Sequence, residues 1–275
     1  MTRDVFGKSL HPIGTKKLFL LDLDGTMYLD SQLVPGAIEF LSLVKEKGLR
    51  AIFITNNSSK SVEDYVAKLN RLGITATKAD FFTSSMGMAI TLNQRYPGKK
   101  VYLMGTKSLR AELASSHVHL AKDRHDHVDV VALGYDTELT YSKLEDICWL
   151  LQNDLPYLAT NPDYVCPVEF GYVPDCGAIA EMLRHATGKM PQFIGKPDPM
   201  IIHLAIEQAG MKPEETVVIG DRLYTDIQSG INAQVTTICV LSGEATIDDV
   251  RSGSVTPDYT VSSIKAVWEA LSTQK

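Results

Sequence analysis

An α/β fold is predicted for this 275-residue chain: a parallel sheet covered by helices, with a second α/β unit inserted into it. Three observations predict it. Apolar runs of strand length alternate with amphipathic stretches from Leu18 onward. Glycines stand where the amphipathic stretches should stop. The stretch between about Thr83 and Glu181 keeps an alternation of its own, enough for a separate sheet.

Leu18-Phe19-Leu20-Leu21 reads as a buried strand. It runs into Asp22-Leu23-Asp24-Gly25-Thr26, where Gly25 permits a tight turn. Pro35-Gly36 introduces a helix over 37–47, and Gly48 is placed to end it. A strand over 50–54 is closed by Thr55-Asn56-Asn57-Ser58, and a helix over 61–72 ends at Gly73. In the inserted stretch, strands near 100–104, 128–132 and 157–159 alternate with helices near 107–115, 141–151 and 178–186. Three more buried-type strands, 192–194, 216–219 and 236–240, return to the outer sheet, separated by helices over 200–209 and 225–232. Residues 1–82 and 182–275 thus form the core, and residues 83–181 the insert.

Composition narrows the function. Hydrophobic residues at 44% and charged residues at 22% are those of a globular chain with ample core. A net charge of −6 offers no general attraction to nucleic acid or to an anionic membrane. The cysteines Cys148, Cys166, Cys176 and Cys239 are scattered and read as thiols of a reducing compartment. There is no signal-peptide core, and no apolar stretch approaches the ~18 residues of a membrane span. A cytoplasmic protein is expected.

Ligands of open α/β sheets lie outside the carboxyl ends of the strands. Four expected strand ends finish in reactive polar residues: Asp22 and Asp24; Thr55, Asn56 and Asn57; Gly195-Lys196-Pro197; and Gly220-Asp221-Arg222-Leu223-Tyr224-Thr225-Asp226. Neighbouring carboxylates repel unless a cation or a shared proton relieves them. Asp22 and Asp221 supply hard oxygen ligands of the kind Mg²⁺ takes. Lys196 brings a point cation, and Thr55 and Asn56 bring neutral donors. Such a set suits phosphoryl transfer, which is mostly positioning and charge stabilisation.

The four motifs, in this order, resemble the haloacid dehalogenase superfamily. More narrowly they resemble its NagD-like phosphatases, with a Rossmann-like core and a large α/β cap between the second and third motifs. Ala159-Thr160-Asn161-Pro162-Asp163 and Val173-Pro174-Asp175-Cys176-Gly177-Ala178 are similar to that cap. The resemblance implies that Asp22 attacks phosphorus to form an aspartyl-phosphate, and that Asp24 serves as acid and then base. It implies Mg²⁺ held by Asp22, Asp221 and the backbone carbonyl of Asp24. Asp226 is left as either a direct ligand or a partner of a metal-bound water or of Lys196. Thr55, Asn56, Asn57 and Lys196 would grip the phosphate, and Leu23, Arg222, Leu223, Tyr224 and Thr225 would line the site. Asn161, Asp163, Cys166 and Asp175 are the cap candidates for choosing the substrate.

The function expected is Mg²⁺-dependent hydrolysis of small phosphomonoesters, sugar phosphates or nucleoside monophosphates. Alternatives are a phosphotransferase or mutase using the same intermediate, or a non-catalytic phosphometabolite-binding regulator. The partner is a small phosphorylated metabolite, with no nucleic acid and no membrane, and a homodimer is compatible with the sequence. His117, His119, His125 and His127, with Asp123, Asp126 and Asp129, fit no metal-ligand spacing and read as a solvated connection.

Overall fold

The computed structural model describes residues 2–168 and 170–273. Met1 and Lys275, the outer ends of the range read from the sequence, lie outside the described residues. In chain order the strands are β1 (Leu18–Leu21), β2 (Tyr28–Leu29), β3 (Gln32–Leu33), β4 (Arg50–Thr55), β5 (Phe81–Thr83), β6 (Lys100–Met104), β7 (His119–Leu120) and β8 (Val130–Leu133). They continue as β9 (Tyr157–Ala159), β10 (Val165–Val168), β11 (Gly171–Pro174), β12 (Gln192–Phe193), β13 (Thr216–Gly220), β14 (Thr236–Val240) and β15 (Tyr259–Val261).

Two compact units emerge. The first comprises Met1–Ile54, Val66–Phe82 and Lys196–Lys275; the second comprises Thr55–Tyr65 and Thr83–Gly195. The second unit takes in Thr55–Tyr65 as well and runs past the sequence boundary at 181, the latter for a physical reason. The helix Cys176–Thr187 is continuous through Glu181 and buries Ile179, Ala180 and Leu183 in the second unit's core.

The first unit holds a six-stranded sheet in the order β15-β14-β13-β1-β4-β5. Numbered by sequence, this is 6-5-4-1-2-3, a doubly wound order whose direction of progression reverses between β1 and β13. The pairings from β15 to β4 are parallel. β1 is buried at every residue, as expected for a central strand with both faces covered. Helix Met200–Ala209 buries Ile201, Ile202, Ala205 and Ile206 and stops at Gly210, which takes φ +64°. After β13 the chain makes a π-helical turn, Leu223–Ile227, before the short helix Gln228–Asn232. The helix expected over 225–232 therefore starts as a wider turn, a feature frequent at functional sites.

The second unit holds a five-stranded sheet, β12-β9-β8-β6-β7, parallel throughout, and the hairpin β10–β11. Its core gathers Tyr102, Met104, Val131, Leu133, Ile147 and Leu150 with the helix Cys176–Thr187. Here the sequence reading is corrected. Gln192-Phe193 does not join the outer sheet but pairs with Leu158-Ala159 of β9. Its apolar run is too short to declare its partner, and the outer sheet takes β5 and β15 as its third and sixth strands instead. Among the described residues no helix is long and apolar enough to cross a membrane.

Candidate active site

The reversal between β1 and β13 is where a doubly wound sheet opens a crevice beyond its strand ends. Leu21 pairs with Ile219, and the Asp22 N–H donates to the Ile219 carbonyl at 2.9 Å. Asp22 therefore leaves β1 beside Gly220-Asp221, which leave β13. The carboxylates of Asp22, Asp221 and Asp226 converge until an oxygen of each lies within 4.8 Å of the others.

Lys196 enters this acidic cluster with its side chain only 3% exposed. Its ammonium donates to Asp22 Oδ1 and to Asp226 Oδ1, both at 2.6 Å, and to the Ile54 carbonyl at 3.4 Å. Burial alone would favour the neutral amine, but the two carboxylates outweigh it and hold the lysine charged. Burial also pushes the Asp22 carboxyl well up, reinforced by the negative charge of Asp226 and opposed by Lys196. Asp221 is raised to about 7, first by burial and then by Asp226. Two of the three acids, Asp22 and Asp226, thus share one ammonium. The donor set, hard carboxylate oxygens short of positive charge, fits a divalent cation.

Backbone shape makes room for these carboxylates. Gly25 takes φ +84°, and a Cβ there would lie 2.3 Å from Asp221 Oδ2. A Cβ on Gly243 would lie 2.0 Å from the same oxygen, and one on Gly220 2.3 Å from the Asp226 Cβ. The Glu244 N–H donates to Asp221 Oδ2 at 2.8 Å, and the Ser242 hydroxyl holds the Gly25 carbonyl at 2.7 Å. Both oxygens of Asp226 are engaged, Oδ1 by Lys196 and Oδ2 by the Arg222 N–H at 3.0 Å.

The remaining first-unit candidates fall around this cluster. Leu23 is fully buried, and its carbonyl accepts from the Met27 N–H at 2.9 Å. Asp24 is half-exposed and meets the Tyr28 hydroxyl. Arg222 pairs with Glu244 at 2.9 Å, Thr225 is buried, and Tyr224 is exposed.

The second unit gathers a different group. Thr55 ends β4, and its hydroxyl accepts from the Asn57 N–H at 3.2 Å. The Asn56 carboxamide donates to Asp163 Oδ2 at 2.7 Å. Asn161 donates to that same oxygen at 2.9 Å and to Asp175 Oδ1 at 3.0 Å. Asp175 also caps the helix Cys176–Thr187. Asn161, Asp163 and Asp175 are all buried. The carboxamide of Asn57 reaches Cys166 Sγ at 3.8 Å. Gly195 packs against this group, since a Cβ there would lie 2.5 Å from Asn56 Oδ1. The polar side chains of Asn161, Asp163 and Asp175 are thus spent on holding one another and Asn56. Cys166 is the one of the four substrate-choosing candidates that keeps partial exposure.

Sequence reasoning missed Tyr28, Lys68, Glu244 and Gly243. Only Tyr28 carried a signal, its closeness to Asp24 in sequence; the other three reach the site from distant segments. The histidine-rich connection is internally paired, with Lys100 on Asp126 at 2.8 Å and His127 on Asp129 at 3.2 Å.

Comparison with known proteins agrees with these features. Residues 19–119 match the family model described as haloacid dehalogenase-like hydrolase, and residues 193–267 match a second model of the same hydrolase type. An acid sugar phosphatase of Staphylococcus aureus is 37% identical over 243 residues, 88% of this chain and 93% of the relative. A 4-nitrophenylphosphatase of Thermotoga maritima superposes with a TM-score of 0.91 at 37% identity, covering 95% of this chain and 99% of that one. A glycerol phosphate phosphatase of Mycobacterium tuberculosis, solved in complex with magnesium, gives a TM-score of 0.88 at 30% identity over 94% of this chain and 78% of its own. That protein has also been solved with calcium.

Proposed function

The chain belongs to the haloacid dehalogenase-like hydrolases, among the NagD-like phosphatases, and on that premise we propose that it hydrolyses small sugar phosphates through an aspartyl-phosphate on Asp22. It is a phosphoric monoester hydrolase. The relatives' names support the substrate class: acid sugar phosphatase, glycerol phosphate phosphatase and 4-nitrophenylphosphatase all describe enzymes that cleave phosphomonoesters.

The observation that carries the reading is the Lys196 ammonium, clasped at 2.6 Å by both Asp22 and Asp226 at the reversal of the sheet. It keeps the Asp22 oxygen aimed and leaves it available as a nucleophile toward phosphorus. Asp24, two residues on and outside that clasp, is free to give a proton to the departing ester oxygen. It then takes one from the water that opens the aspartyl-phosphate. General acid–base help of this kind contributes roughly 10²–10⁴-fold. Asp226 acts through Lys196, whose ammonium it accepts at 2.6 Å. Thr55 and the backbone of Asn56 are assigned to the phosphate, and Asp163 holds the Asn56 carboxamide out of that role.

Asp22, Asp221 and the carbonyl of Asp24 would hold a divalent cation, Mg²⁺ by the family's habit. When bound, it would neutralise charge on the phosphoryl oxygens. Residues 83–195 would act as the family's cap and govern the choice of leaving group.

Phosphate release from a panel of phosphomonoesters, with and without Mg²⁺, tests this reading in the wild type and in Asp22→Asn. Metal-dependent release that disappears in the variant is expected. Release that survives Asp22→Asn would sink the mechanism. Transfer of phosphate to an added alcohol in preference to water would favour the phosphotransferase.

A further inference from the structure

Asp24 is held from two sides within the first unit. The chain after β1 folds tightly back on itself: the N–H groups of Met27 and Tyr28 point to the Leu23 carbonyl at 2.9 and 3.3 Å, and the Gly25 N–H donates to the Tyr28 carbonyl at 2.8 Å. This turn sets Tyr28 beside Asp24 as the first residue of the β2–β3 hairpin. The Tyr28 ring is fully buried, and its hydroxyl donates to Asp24 Oδ2 at 3.3 Å. Lys68, from the helix Val62–Arg71, places its ammonium 3.8 Å from Asp24 Oδ1 and 3.7 Å from the centre of the Tyr28 ring. One ring therefore donates a hydrogen bond through its edge and seats a cation on its face, and both groups meet the same carboxyl. Each oxygen of Asp24 has its own neighbour, which fixes the plane of the group although the side chain is 42% exposed.

We propose that Tyr28 and Lys68 are positioning residues that hold the Asp24 carboxyl on the ester oxygen during cleavage, so that they matter most for substrates whose leaving group must be protonated. The proposal rests on Asp24 being the general acid. In the step at issue an Asp22 oxygen bonds to phosphorus as the P–O ester bond breaks. The electron pair of that bond goes to the ester oxygen, which takes the proton of Asp24. The alcohol leaves neutral and Asp24 is left as a carboxylate. A nitrophenolate leaves readily without that proton, whereas an alkoxide does not. Misaiming the acid must therefore separate the two kinds of ester.

The test compares kcat/KM for glycerol phosphate and for 4-nitrophenyl phosphate in the wild type, Tyr28→Phe, Lys68→Met and Asp24→Asn. Because kcat/KM reports steps only through the first irreversible one, it isolates ester cleavage from later hydrolysis of the intermediate. Tyr28→Phe keeps the ring and loses only the hydroxyl. Lys68→Met keeps an apolar stem over the ring and loses the ammonium. In both, kcat/KM should fall about tenfold for glycerol phosphate and about twofold for the nitrophenyl ester, a fraction of the effect of full acid catalysis. Asp24→Asn should separate the esters more widely. Equal losses on both esters in Tyr28→Phe and Lys68→Met, with Asp24→Asn still separating them, would overturn the positioning role and leave the general acid standing. No separation in Asp24→Asn would overturn the general acid, and the positioning role with it.

Discussion

Replacing Asp163 with alanine offers a test of how the second unit fixes Asn56. Asp163 Oδ2 accepts from Asn56 at 2.7 Å and from Asn161 at 2.9 Å, and both donors are buried. Hydrogen bonds to a carboxylate contribute roughly 1.5–3 kcal/mol each, and removing an acceptor from a buried donor costs ~1–3 kcal/mol. Asn161 retains Asp175 at 3.0 Å, so the larger loss falls on the Asn56 bond. We expect Asp163→Ala to cost about 3 kcal/mol, read as a lower urea midpoint with an unchanged slope. Asp163→Asn keeps one acceptor oxygen and should cost about 1 kcal/mol. The alanine variant should also weaken competitive inhibition by inorganic phosphate, because the residue after Thr55 loses its anchor. Stability of Asp163→Ala within about 0.5 kcal/mol of the wild type, the range of an ordinary surface change, would refute the reasoning.

Three further outcomes follow from the same geometry. Gly25→Ala forces a Cβ to within 2.3 Å of Asp221 Oδ2 at φ +84°, so Mg²⁺ affinity measured by calorimetry should drop at least about tenfold, or 1.4 kcal/mol; unchanged affinity would mean that Asp221 is not a ligand. Lys196→Met leaves Asp22 and Asp226 facing each other without their shared ammonium, and should cost roughly 3–5 kcal/mol of stability as well as activity; a stability equal to the wild type would contradict the buried triad. Burial raises the Cys176 and Cys239 thiols to about 12, so alkylation of the native chain at pH ~8 should modify Cys166 and Cys148 and spare those two, as peptide mass spectrometry would report. Modification of Cys176 or Cys239 as fast as Cys166 would show that their surroundings open.

Much of the first unit was legible in the sequence, because its strands carry unbroken apolar runs and its glycines end its helices. Leu18–Leu21 and Thr236–Val240 are long enough, and buried enough, to declare themselves. β12 was not assignable, since two residues cannot specify which of two parallel sheets they join. The helix Ser84–Arg95 was missed because its first turns, Ser84, Ser85 and Gly87, are small and buried against neighbours, which hides its period. At the site, motif spacing pointed to Asp22, Lys196, Asp221 and Asp226, all near strand ends. The inward commitment of Asn161, Asp163 and Asp175 was illegible, since the same residue types read equally well as substrate contacts. Lys68 reaches Asp24 only through tertiary packing, and nothing around it in sequence marks it.

The most direct measurement is acid quenching of the enzyme during turnover, followed by peptide mass spectrometry. One phosphoryl group on the peptide carrying Asp22, present with a phosphomonoester and Mg²⁺ and absent in Asp22→Asn, is the result expected. Steady turnover with that peptide unmodified at every quench time, or a phosphoryl group found on another residue, would contradict the central role given to Asp22.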